Sequence, residues 1–133
     1  MIIKDYAIGF KELYEPFIEI ILNDNLDKDN YVIKMWGGYF NEICRSIPLN
    51  EDEMYVGLAY HYHVDTPWQE QEDEPWEIDN LKLWLHQIKQ AENILKRQAQ
   101  DDTELQICKD ICIVLEKAIQ QKRKVFIIYH FGD

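Results

Sequence analysis

From Ser46 to Leu81 the chain contains neither a lysine nor an arginine. A segment without bases cannot hold nucleic-acid phosphates, and the net charge of −11, with a pI near 4.7, excludes non-specific nucleic-acid binding by the chain as a whole. No apolar run approaches the ~18 residues that a membrane span needs. Lys4, Asp5, Lys11 and Glu12 break up the N-terminal sequence. It therefore lacks the basic region and long apolar run of an export signal, and a cytoplasmic location is expected. Cysteine is scarce: three residues, an odd number, fit reduced thiols better than a disulfide framework. Phosphate-binding loops, dinucleotide fingerprints and nucleophile elbows are missing. So are internal repeats, low-complexity tracts and a linker to a second domain, which leaves residues 1–133 as one expected globular domain.

What the base-free stretch does contain is acid. Glu51, Asp52, Glu53, Asp65, Glu70, Glu72, Asp73, Glu74, Glu77 and Asp79 all lie within it, leaving 15 acids against 14 bases in the rest of the chain. Nearly all of the net charge sits in this one segment. Trp68, Trp76 and the run Tyr60–His63 are threaded among the carboxylates. An acidic surface carrying large aromatics suits a basic partner. With 47% hydrophobic and 13% aromatic residues, the chain has enough apolar side chains for a core despite its charge.

Hydrophobic spacing predicts a mainly helical α+β domain. Ile3, Tyr6, Phe10, Leu13, Phe17 and Ile20 or Ile21 recur at three- and four-residue steps, so residues 2–22 are expected to be helical, interrupted at Pro16. Asn23–Asn30 has turn chemistry. Tyr31–Arg45 reads as a helix capped by Asn30, or as an extended Tyr31–Trp36 followed by a helix from Gly38, because Gly37 and Gly38 are poor helix formers. Glu53–Val64 alternates and is expected to be a strand. Asp65–Trp76, with Pro67 and Pro75, is expected to be a long loop. Asp79 is expected to cap a helix with the stripe Leu81, Trp84, Leu85, Ile88, Ala91, Leu95 and Ala99. Residues 103–122 form a second helix, apolar on two sides, and the two make a central αα-hairpin. Val125–Phe131 is a short buried strand, which with Glu53–Val64 would give a small antiparallel sheet of two or three strands.

Several constellations have a chemical and a structural interpretation. On a strand, His61 and His63 share one face at a spacing used by zinc sites, with carboxylates nearby, but no third ligand stands at a recognisable spacing. Cys108 and Cys112 share a helix face among isoleucines and fit inert core thiols, as does Cys44. A Cys–His nucleophile with His86 or His130 comes with no motif. Glu72 with Glu74 lies in a proline-bounded polar loop rather than the desolvated cleft that catalytic carboxylates need. The acidic loop itself has a plain interpretation as a solvated face kept for solubility. The absence of any base across it, and the two tryptophans inside it, favour a binding surface.

The opening Met1–Phe10 (MIIKDYAIGF), the segment Met35–Phe40 (MWGGYF) and the acid–tryptophan stretch Asp65–Trp76 give the chain a further reference point. In these it resembles the immunity proteins of bacterial contact-dependent growth-inhibition systems, in particular those paired with tRNA-cleaving toxin domains. The resemblance implies a stoichiometric inhibitor without catalytic residues, cofactor, metal, membrane or small-molecule substrate, whose partner is one cognate basic nuclease domain. Glu70, Glu72, Asp73, Glu74 and Glu77 are the expected electrostatic contacts, Trp68 and Trp76 the expected anchors, and Asp65 and His63 the expected rim. Two alternatives belong to other classes: a metal-dependent enzyme built on His61 and His63, and an acidic adaptor or nucleic-acid mimic that binds basic proteins without one cognate.

Overall fold

A computed structural model of the chain describes residues 2–9, 15–22, 30–69, 73–98 and 102–131. In chain order the elements are strands β1 (Ile2–Tyr6), β2 (Phe17–Leu22) and β3 (Tyr31–Trp36), and helices α1 (Gly37–Arg45) and α2 (Gly57–His63). Then come a 3-10 turn at Pro67–Gln69, strand β4 (Trp76–Glu77), helices α3 (Leu81–Arg97) and α4 (Asp102–Gln121), and strand β5 (Val125–His130). The α+β class is as expected, but the sheet is larger. Among the described residues it has five strands in the order β1-β3-β2-β5-β4, and β1 runs parallel to β3 while the other neighbours are antiparallel.

Ile2–Tyr6 and Phe17–Leu22 form strands instead of helical pieces, while Phe10 and Leu13 lie outside the described residues. Ile3 with Tyr6 and Phe17 with Ile20 keep a three-residue step although each pair lies within a strand, and only β2 shows a clean period of two. In β2, Ile18, Ile20 and Leu22 point into the core while Phe17, Glu19 and Ile21 stand on the other face. β-branched isoleucine suits such a half-buried pleat. Pro16 precedes the strand, and its carbonyl accepts from Gly37 N at 2.9 Å at the point where β3 turns into α1. The alternative expectation for residues 31–45, an extended segment followed by a helix at the glycine pair, is the one realised.

Rows of cross-strand partners define the faces. Leu22 pairs with Tyr31 and Val125, Ile20 with Ile33 and Ile127, and Ile18 with Met35 and Tyr129. This face meets α1 and α4. As expected, α3 and α4 form the central hairpin, with Trp84, Ile88, Ala91 and Leu95 on α3 buried against Ile107, Ile111, Val114, Leu115 and Ala118 on α4. A buried carboxylate helps to fix α4 to the sheet. Asp110 accepts from the hydroxyl of Tyr6 on β1, its charge adds to burial in raising the hydroxyl of Tyr31 on β3, and Gln106 Nε2 lies 3.4 Å from its Oδ1.

Glu53–Val64 is the second correction: residues 57–63 form helix α2, and β5 pairs with β2 and β4. Three features account for the helix. Gly57 sits at φ +56°, a turn that an L side chain resists. Gln87 on α3, itself buried, accepts from Leu58 N and donates to Val56 O, both at 2.8 Å, so that the chain docks on α3 without a strand partner. Leu58, Ala59 and Tyr62 then lie on one inward face at helical spacing. The third correction is the cap of α3, which is Asn80, at φ +46°, accepting from Leu83 N at 3.3 Å. Asp79 instead faces His61.

Candidate functional site

Among its described residues the base-free segment includes a tight turn at Asn50–Met54, helix α2, and residues 64–69 and 73–79, the last of which reach the sheet at β4. Asn50 organises the turn. Its Oδ1 accepts from Asp52 N at 3.0 Å and Met54 N at 2.9 Å, its carbonyl accepts from Glu53 N at 2.9 Å, and its own N–H donates to Met54 O at 3.1 Å. Glu53 takes φ +59° to close it. Glu51, Asp52 and Glu53 therefore project from an ordered backbone, and all three are exposed.

An aromatic wall lies between α2, α3 and the residues leading to β4. Trp68, Trp76 and Trp84 surround His61, with ring centroids 5.9, 4.9 and 6.5 Å from the imidazole. Trp68 is only 1% exposed and also meets Phe40 edge-on at 6.3 Å. Its role as a docking anchor is thereby corrected: Trp68 is a core residue. Removing roughly 200 Å² of indole from water gives at most about 5 kcal/mol at ~25 cal/mol per Å², a gain that a solvent-facing tryptophan would make only after a partner arrived. Trp76 is half-buried in the same cluster, opposite Ile127 across β4–β5. Both tryptophans pin the loop to the core.

The carboxylates of this stretch point outward, but not all are free. His61 Nδ1 donates to the Asp65 carbonyl at 3.2 Å and Nε2 faces Asp79 Oδ2 at 3.1 Å. Both partners only accept, so the arrangement is complete when the ring carries two protons. Asp73, at φ +64°, bonds Tyr129 O through its N–H at 3.0 Å and receives His130 Nδ1 on Oδ1. His130 Nε2 lies 2.7 Å from Glu19 Oε1, near enough for charge attraction yet out of line for a hydrogen bond. Its ring stacks on Phe17 at 4.4 Å. Glu77 pairs with Lys124 at 3.6 Å. Among the described residues, no Lys, Arg or His pairs with Glu51, Asp52, Glu53, Asp65 or Glu74. The contacts expected at Glu70 and Glu72 lie outside the described residues.

The exposed residues of α2 are the aromatic Tyr60 and His63, and Val64 follows at its end. Tyr60, His63 and Val64 fall at helical spacing, and His63 stacks on Tyr55 with centroids 4.3 Å apart. Met54 is 60% exposed, Val64 59%, Tyr55 42% and Tyr60 40%. Reading this stretch as a strand hid the group by placing Met54 and Tyr60 on a buried face. The spacing of Leu58, Ala59 and Tyr62 was the available signal for a helix. The same correction removes the shared face of His61 and His63, which point to different sides of α2, one toward the tryptophans and the other onto Tyr55. Among the described residues, no group of three or more His, Cys, Asp or Glu is arranged to hold a metal ion.

Cys44, Cys108 and Cys112 are buried and reduced. Burial first, and then the Glu92 carboxylate, pushes the Cys108 thiol up to about 12 and that of Cys112 up to about 11. Thiols held protonated at neutral pH fit the core role expected of them. No helix among the described residues is long and apolar enough to cross a membrane.

Comparison with protein-family models, characterised proteins and solved structures returned no significant match.

Proposed function

We propose that this chain is a stoichiometric protein inhibitor of the immunity type, acting in the cytoplasm, which neutralises a basic nuclease domain by covering its substrate-binding surface. One observation carries this. Within a segment that has no lysine or arginine, Glu51, Asp52, Glu53 and Asp65 stand exposed without a basic partner among the described residues, on backbone held by the Asn50 turn and helix α2. A nuclease must be basic where it grips a phosphate backbone. Carboxylates presented there take the place of phosphates, steer association and exclude substrate. The likeness of Met1–Phe10, Met35–Phe40 and Asp65–Trp76 to immunity proteins paired with tRNA-cleaving toxins agrees in kind, and narrows the expected substrate to tRNA.

The test is affinity purification from the source cells followed by a cleavage assay. One basic protein should be retained at a one-to-one ratio in physiological salt, and its tRNA-cleaving activity should vanish when the purified chain is added back to equivalence. Cleavage that continues undiminished with the chain in excess would end the proposal. A mixture of basic proteins that washes off at physiological salt would favour the adaptor alternative.

A further inference from the structure

We propose that the partner docks on the turn and helix of residues 50–65, with Met54, Tyr55, Tyr60 and Val64 as the apolar centre of the contact, while residues 66–69 and 73–79 form a buttress. The occupant is a basic protein face with an apolar centre ringed by Lys and Arg. This inference rests on the inhibitor reading above and gives it a location.

The separation follows from what each piece already touches. In the buttress Trp68 and Trp76 are turned inward, and Asp73, Glu77 and Asp79 have partners within the chain: His130, Lys124 and His61. A partner using those carboxylates would first have to displace them. Among the described residues, nothing comparable ties down the outward side of residues 54–64. Four large apolar side chains stand 40–60% exposed there, and Tyr55 is held against His63 in a stacked pair. An apolar centre with a polar rim is the anatomy of a protein–protein contact, and tyrosine is enriched among its strongest positions.

Charge selects the occupant. Glu51, Asp52 and Glu53 directly precede these residues in the chain and Asp65 directly follows them, with no Lys or Arg between Arg45 and Lys82. An acidic or neutral partner would bury these carboxylates unpaired, whereas a basic one pairs them. Beside Glu51 a cleft of about 200 Å3 opens, with apolar walls from Leu49, Val56 and Leu83 and polar groups from Glu51, His86 and Gln90. That composition fits the alkyl stem and cationic head of one Lys or Arg. The ordered Asn50 turn fixes these groups before binding, which lowers the entropy lost on association.

Photo-crosslinking in the source cells tests the location and requires no identified partner. p-Benzoylphenylalanine is placed singly at Tyr60, Val64, Glu74 and, as a site on α4 outside the segment, Ile113. The expected result is one protein with more Lys and Arg than Asp and Glu, captured from Tyr60 and Val64 only. That protein is then produced and titrated against the full chain. Tyr60→Ala should weaken binding roughly thirtyfold, the loss typical of an interface hot spot, and Ile113→Ala should leave affinity unchanged. Unaltered melting of both variants would show that they fold. Capture from Glu74 but not from Tyr60 or Val64 would overturn this location and leave the inhibitor reading standing. Capture only of a protein without excess base, or of none from any site, would overturn both. A Tyr60→Ala variant that binds as tightly as the parent would overturn the inference.

Discussion

Cys44, Cys108 and Cys112 show how one residue type reports on its surroundings. Burial raises all three thiols, most firmly at Cys44, where Cys108 adds to it. Cys108 and Cys112 move from the ordinary 9.0 up to about 12 and about 11. A thiol raised on folding stabilises the native state fully below the unfolded value. That contribution falls away as the pH climbs from about 9 toward the folded values, because the unfolded chain loses its protons first. The hydroxyl of Tyr6 is raised in the same sense, by burial and then by the bond to Asp110, and adds to the loss above pH 10.0. Urea unfolding should therefore give a midpoint that is flat from pH 7 to 8.5 and falls between pH 9 and 11. A Cys108→Ala variant should be less stable throughout, with a shallower fall. A midpoint that rises over that range would contradict the burial argument. Aromatic-disulfide thiol titration at pH 8 should find almost no reactive cysteine until urea is added.

At the scale of elements, α2 depends on Gly57. A Cβ at this position would meet Gln87 Oε1 at 2.6 Å and Leu83 Cδ2 at 2.7 Å, on a backbone at φ +56°. The left-handed conformation costs an L residue about 1–2 kcal/mol, and overpacking adds about 1–3 kcal/mol. Gly57→Ala should then destabilise the chain by about 3 kcal/mol in equilibrium unfolding, and a cost under about 1 kcal/mol would show that α2 is not anchored as described. The same element explains one failure of sequence reading. Met54 to Val64 alternates like a strand, and only the dock onto Gln87, which lies 29 and 31 residues away from the backbone groups it bonds, makes it helical. β1 and β2 failed for the mirror-image reason. Two short strands mimicked a helical stripe, and the partner of β1 is β3, supplied by residues 31–35. The α3–α4 hairpin was legible because its stripes are long and its contacts local, and β5 because a short apolar run next to a helix end has few other uses.

For the molecule as a whole, the charge of −11 opposes compaction, and ten of the acids lie in the base-free segment. Against this stand a few mostly exposed ion pairs, such as Lys89 with Glu116 and Lys124 with Glu77, worth about 0–1 kcal/mol each. Self-repulsion should win. Raising NaCl from 0.02 to 0.5 M should lift Tm by roughly 4 °C, about 1 kcal/mol for a domain of this size, and calorimetry showing a fall would mean that the ion pairs dominate. By itself the sequence determined the lopsided charge, the α+β class, the helical hairpin and β5, because composition is context-free and long stripes admit one period. Only the tertiary structure decided which acids are already engaged, which tryptophans face inward, and that Met54, Tyr55, Tyr60 and Val64 face out. The reason is that a short segment takes its period and its buried side from whatever packs against it, and here that is Gln87, the tryptophan wall and the ends of β5, all distant in the chain.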